Sequence, residues 1–298
     1  MRASSRIVAR CQPDGATRLT TLAGEAPMLL RRGAVRRPTA AATTVGSAGS
    51  ASFATSDAPF DTAYVDRIWP AADGRPAAQV HMVGGAAGPL GGDELRCLVD
   101  LGPGARLDVR GTASSIALPG PNGRESTLEI HARVSEGAAL AWSPPPLIAA
   151  RGARHRTIAR VELEPDSRLV WRDELLLGRE GEEPGSVSTR LRVTRAGRVL
   201  LDREVAMGPR HAGSLGPAGS AGHRALGAVL IVEPGWEKAA PPAAVRQGAA
   251  HLVPQVATQD DPGVSIAVLR LSGPAVLITA AAADGHALSR VLDAALSG

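Results

Sequence analysis

The sequence predicts a mainly β protein, a body of stacked β-hairpins resembling a β-helix or solenoid, with one or two helices near its C-terminus. Three observations carry that prediction. Aromatic residues are only 2% of the 298, so the core has to be built from Val, Leu, Ile and Ala. The chain holds 34 glycines and 23 prolines, enough to punctuate many short strands. Four eleven-residue windows, VDLGPGARLDV (99–109), ARVSEGAALAW (132–142), VELEPDSRLVW (161–171) and LRVTRAGRVLL (191–201), also align without gaps, starting 33, 29 and 30 residues apart.

Each window sets apolar residues at positions 1, 3, 9 and 11 around a turn cluster, the pattern of a tight hairpin with one buried face. Val99, Leu101, Leu107 and Val109 should face in together, as should Val161, Leu163, Leu169 and Trp171, while Arg106, Asp108 and Arg110 face out. A unit that recurs about every 30 residues cannot bury its apolar face alone, so stacking is its natural solution. A sandwich of merely similar hairpins is the alternative.

The rest follows in chain order. The start, MRASSRIVARCQPDG, is charged and has no apolar run after it, and no stretch approaches the length of a membrane span. Residues 34–58 and 208–224 are loop-rich by composition. In GPLGGDEL (88–95) the glycines supply turn positions at the entry of the first stacked strand, and Asp93 caps that turn or lies on an ion path. The prolines of WSPPPLIAARGAR (142–154) end a strand or lie on its edge. ALGAVLIV (225–232) and SIAVLRL (265–271) read as buried strands, and PPAAVRQGAAHLV (241–253) as a short helix. From 285 to 297 the period changes: Leu288, Val291, Leu292, Ala295 and Leu296 fall at helical spacing behind Asp284 as N-cap. The whole, 1–298, reads as a single domain.

Composition narrows function. The net charge is +4, carried by arginines scattered among acids, and there is no aromatic platform for single strands, so nucleic acid is not an expected partner. Cys11 and Cys97 are too few for a disulfide framework, and the expected compartment is a reducing cytoplasm. Neither a P-loop, a dinucleotide fingerprint, a nucleophile elbow nor an H-E-x-x-H pair occurs, which removes the commonest nucleotide-binding, hydrolase and zinc-protease readings. His131 and His155 are expected on solvated positions. The acids are more suggestive: WRDELLLGREGEEPG (171–185) gathers Asp173, Glu174, Glu180, Glu182 and Glu183, either a charged rim or weak, exchangeable oxygen ligands for a divalent ion.

GPLGGDELRCLVDLGPGARLDVRG, GAALAWSPPPLIAARGAR and WRDELLLGREGEEPG, in this order and spacing across residues 80–205, resemble the UreD family, also called UreH, of urease accessory proteins. Where many members carry a T-T-Q-A-A-T-K-V-Y-like run, this chain has GTASSIALPG. The resemblance implies a non-enzymatic scaffold that binds apo-urease, UreF and the GTPase UreG. It also implies transient passage of Ni²⁺ into the urease active site, with no tightly bound cofactor. On that reading Glu174 is the first candidate for the path, followed by Asp93 and Glu182. The rival readings are a generic β scaffold for an acidic protein and a β-solenoid carbohydrate-active enzyme.

Overall fold

The computed structural model describes residues 1–33, 64–72, 74–238 and 263–296. The expected loop 34–58 and the expected helix 241–253 lie outside them. Two sheets face each other. The first runs in the order β14 (Arg198–Met207), β13 (Ser186–Arg195), β11 (Arg154–Leu163), β8 (Ser126–Val134), β5 (Glu94–Leu101), β1 (Arg2–Cys11), β2 (Thr17–Gly24). The second runs β16 (Val264–Arg270), β17 (Ala275–Ala282), β15 (Ala225–Val232), β12 (Arg168–Leu177), β9 (Ala139–Ser143), β6 (Arg106–Gly111), β4 (Ala78–Gly84), β3 (Met28–Arg32). Short β7 (Ser115–Ala117) and β10 (Leu147–Ala149) join beside β12. Helix α1 is Tyr64–Ile68 and α2 is Gly285–Ala295.

The stacking was legible, but the unit is not a hairpin in three of the four windows. β5 and β6 lie in different sheets, as do β8 and β9, and β11 and β12. Each window is an arch that carries the chain from one sheet to the other, and successive arches stack in parallel. Val99, Ala132 and Val161 are register partners on one side, Leu107, Leu140 and Leu169 on the other. The seventh position is small and fully buried each time, as Ala105, Ala138 and Ser167, because the inside of an arch leaves no room for more.

Only the fourth window is a true hairpin. Ala196 and Gly197 both take positive φ, 49° and 74°, the two-residue turn whose twist keeps both arms in one sheet. Its register also departs from the gapless alignment, since Val193 rather than Leu191 pairs with Val161. Val199 is accordingly exposed instead of buried.

The core between the sheets is aliphatic, with Trp142 and Trp171 from neighbouring coils stacked at 5.1 Å and 10°. The outer face of the second sheet is not solvated as expected at Arg106, Asp108 and Arg110. A second apolar layer covers it, where α2 lays Leu288, Val291 and Leu292 against Val229, Ile231 and Ile278. Gly227 of β15 makes room for that helix, since an added Cβ would come within 2.7 Å of Leu292. Asp108 is fully buried there, accepting the backbone N–H of Tyr64 and paired with Arg110 at 2.7 Å. Burial pushes its pKa up, against the pull of Arg110.

The C-terminal helix and its cap are as expected, the Asp284 carboxylate accepting from the Ala287 N–H at 2.9 Å. β15 matches its predicted span, whereas β16 is an edge strand with Leu269 half exposed rather than a buried one. The buried neighbour is β17, AVLITAAA, whose small residues gave little periodic signal. The loop 208–224 is a run of turns fastened by Ser214, whose hydroxyl accepts from the Gly208 N–H.

Candidate functional site

The same parity that builds the core brings a few polar side chains into it. Counting inward from Trp171 on β12, the next residue on that face is Asp173; from Val161 on β11, Ala159, Thr157 and His155; from Leu201 on β14, Arg203. These groups line a cavity of about 150 Å³ between the two sheets, walled mainly by Leu128, Ile130, Trp142, Leu147 and Leu175. Thr189 of β13 and the prolines Pro144 and Pro145 also reach it, so the proline run is a structural corner at the cavity's edge.

Asp173 has both carboxylate oxygens 3.0 Å from the Trp171 indole nitrogen, which donates to them. Burial pushes its pKa up to about 6, against the lowering effect of the Trp171 hydrogen bond and the Arg203 charge. His155 is 2% exposed, which corrects its expected solvated position. Its ring is bracketed by hydroxyls, Ser126 Oγ 2.9 Å from Nδ1 and Thr157 Oγ1 3.0 Å from Nε2. Burial pulls its pKa down to about 4, so it is neutral at ordinary pH. Arg203 is mostly buried, and that burial lowers its pKa against the opposing influence of Asp173.

The three residues singled out from the sequence are not brought together. Glu174, next to Asp173, points to the opposite face. It is buried there under α2, accepting from Arg172 Nε at 2.6 Å and from Ser289 Oγ at 2.8 Å. Arg172 also reaches Tyr64 Oη and Asp293, and although burial opposes its charge, the charges of Glu174, Tyr64 and Asp293 prevail and raise its pKa.

Asp93 is buried at the turn before β5, where it accepts from the Leu90 N–H and the N-terminal amine, both at 2.9 Å. That is the capping role. The glycines of GPLGGDEL steer backbone as well: Gly92 has φ +96°, and a Cβ on Gly91 would fall within 2.5 Å of backbone atoms of Gly120 and Arg124. Glu182 lies in the loop after β12, clamped by Arg179 at 2.8 Å, which holds its pKa down at about 2. Among the described residues, no three His, Cys, Asp or Glu side chains gather as a metal-holding group.

Asp173, His155 and Arg203 were thus missed as a set, though the parity of the windows places each of them. The signal was the inward face itself, continued past its last apolar residue by one step to Asp173 and Arg203 and by two to His155. Cys97 also faces inward and is free, its thiol pushed up to about 11 by burial. No described helix is long and apolar enough to cross a membrane.

Comparison with known proteins extends the resemblance well beyond residues 80–205. A model of the family described as UreD urease accessory protein matches residues 64–297. Urease accessory protein UreD 3 of Streptomyces griseus is 38% identical over 99% of this chain and 96% of its own length. Urease accessory protein UreD of Streptomyces avermitilis is 38% identical over 100% and 97%. The protein of that name from Parafrankia is 41% identical over 72% of this chain and 73% of its own.

Proposed function

Because the chain belongs to the UreD urease accessory protein family, we propose that it acts in urease maturation as a non-catalytic scaffold that holds apo-urease with UreF and UreG while Ni²⁺ passes to the urease active site. The observation that carries the nickel part of this reading is the intersheet cavity, where Asp173 sets a carboxylate into mainly apolar walls that it shares with Thr157, Thr189, His155 and Arg203. A conduit needs a ligand that releases as readily as it binds, and one carboxylate with neighbouring hydroxyls is a weaker hold than a cage of His and Cys. Ni²⁺ also competes with a proton at Asp173, so occupancy rises with pH. Glu174, Asp93 and Glu182 then serve as structure around that route, through Arg172, the β5 turn and Arg179 respectively.

The test is urease activation in a nickel-supplied host carrying the matching urease and accessory genes, with and without this chain, beside a pull-down for UreF and apo-urease. We expect activity to depend on the chain and both partners to be recovered. Asp173→Asn, which keeps the shape, should lower activation severalfold while the complex still assembles. Full activation by Asp173→Asn would remove the cavity from the nickel route. Unchanged activity without the chain, and no partner recovered, would leave the generic scaffold, for which the arginines on the outer face of the first sheet, such as Arg96, Arg160 and Arg192, offer an acidic protein its contacts.

A further inference from the structure

The parallel register of β1, β5, β8 and β11 sets the outward side chains of the first sheet in rows that cross its strands. The rows on either side of the middle neutralise themselves. Arg96 pairs with Glu129 in one, and in the other Asp100 pairs with Arg10 and Glu162 with Arg133. The row between them, Arg6, Leu98, His131 and Arg160, holds no carboxylate. Arg6 and Arg160 are both exposed. Among the described residues Arg6 makes no hydrogen bond or ion pair, and Arg160 meets only the His131 ring, 3.4 Å away. Leu98 stands between the two charges and is 36% exposed, and the four residues line a shallow groove of about 630 Å³.

A guanidinium presents a planar fork of donors that fits the two oxygens of a carboxylate. Neighbouring strands lie about 4.8 Å apart, so Arg6 and Arg160, three strands apart, are separated by about 14 Å along the row. An extended peptide advances about 3.3 Å per residue and turns alternate side chains to one face, so its residues i, i+2 and i+4 span about 13 Å on a single side. Acids at i and i+4 then meet Arg6 and Arg160, while residue i+2 falls over Leu98 and His131. We propose that this groove docks an extended acidic segment of a partner protein, laid across the strands, with the pattern acid-x-apolar-x-acid.

The same groove argues against a nucleic-acid strand as the occupant. Asp100, Glu129 and Glu162 also line it, so a continuous run of phosphates meets repulsion between the two arginines, whereas two spaced carboxylates do not. The surface lies on the outer side of the sheet, away from the intersheet cavity, and involves none of that cavity's polar groups.

The probe is the peptide acetyl-Glu-Ser-Leu-Ser-Glu-amide, titrated into the isotope-labelled full-length chain and read by NMR shifts of the backbone amides. The expected result is a saturable response confined to β1, β5, β8 and β11 around the four residues, with a Kd on the order of 1 mM at about 20 mM salt and severalfold weaker binding at about 150 mM. Arg6→Gln and Arg160→Gln, at exposed positions that leave the core untouched, should each weaken binding by about two- to fivefold, and the double variant by about tenfold. The isomer acetyl-Ser-Glu-Leu-Glu-Ser-amide has its acids only about 7 Å apart, reaches one arginine at a time and should bind severalfold more weakly. Equal affinity for the two peptides overturns the proposal, as does unchanged affinity in the double variant or the absence of shifts on this face. An oligothymidylate of the same charge that binds as tightly also overturns it, by making the face a general polyanion surface. Neither urease nor nickel enters the assay, so its outcome is independent of the maturation reading.

Discussion

Asp173 and Glu174 are neighbouring carboxylates whose substitutions should behave differently, because strand alternation sends one into the cavity and the other under α2. Glu174→Ala strips a partner from buried Arg172 and should cost about 3–5 kcal/mol in urea unfolding, with any loss of urease activation following from lost fold. Asp173→Asn should do the reverse. With its pKa raised to about 6 from 3.8, folded Asp173 holds a proton that the unfolded chain releases. Its contribution is full below about pH 4 and is lost as pH rises through 6, so the Asn variant should gain on wild type across that window, by on the order of 3 kcal/mol at neutral pH. His155 has the opposite sign. Its pKa lies at about 4 instead of 6.5, so its contribution is full above 6.5 and lost as pH falls towards 4. His155→Gln should therefore be less sensitive to acid than wild type, and urea midpoints measured from about pH 4 to 7 separate the two slopes. Sequence reading chose Glu174 over Asp173 because it weighed the acids as a cluster; the facing parity of Trp171 distinguishes them.

At the level of elements, the windows showed which residues face the core but not where the chain goes between them. A buried face with period two is identical in a hairpin and in an arch. The difference lies in the turn: positive φ at both Ala196 and Gly197 returns the chain within its sheet, whereas Pro103-Gly104 and Glu136-Gly137 have one such residue each and lead across. Helix α2 was legible throughout, because apolar spacing and a capping Asp agree. Its seat was not, since a glycine in a strand says nothing of what approaches it. Gly227→Val should therefore displace α2, with a cost of about 1–3 kcal/mol in thermal or urea unfolding, while Gly123→Ala, where nothing lies within 4 Å of the added Cβ, should cost no more than the strain of its positive φ. Equal losses in the two variants would contradict this account of the helix seat.

On the scale of the molecule, the coils from β5 to β13 each pair with the coil before and after, so stability should vary along the stack. Hydrogen exchange followed by mass spectrometry should find the slowest amides in β8, β9, β11 and β12, and the fastest in the edge strands β2, β3, β14 and β16. Uniform protection across both sheets would argue instead for a single cooperative block. The parallel order was within reach of the sequence, because three windows were already in their true register. The N-terminal strands were not: β1 alternates well enough, but nothing local names its neighbour. That neighbour is β5, with Arg2 beside Glu94 and Ala9 beside Leu101. Translated at roughly 5–20 residues per second, the chain makes β1 some five to twenty seconds before the strand that flanks it. For that interval β1 has only its hairpin partner β2, and its other side is an open edge bearing Ile7 and Ala9, residues destined for full burial. Among the described strands β1 thus waits longest for its second neighbour, and synthesis on the ribosome is the stage at which that edge is open to wrong pairings.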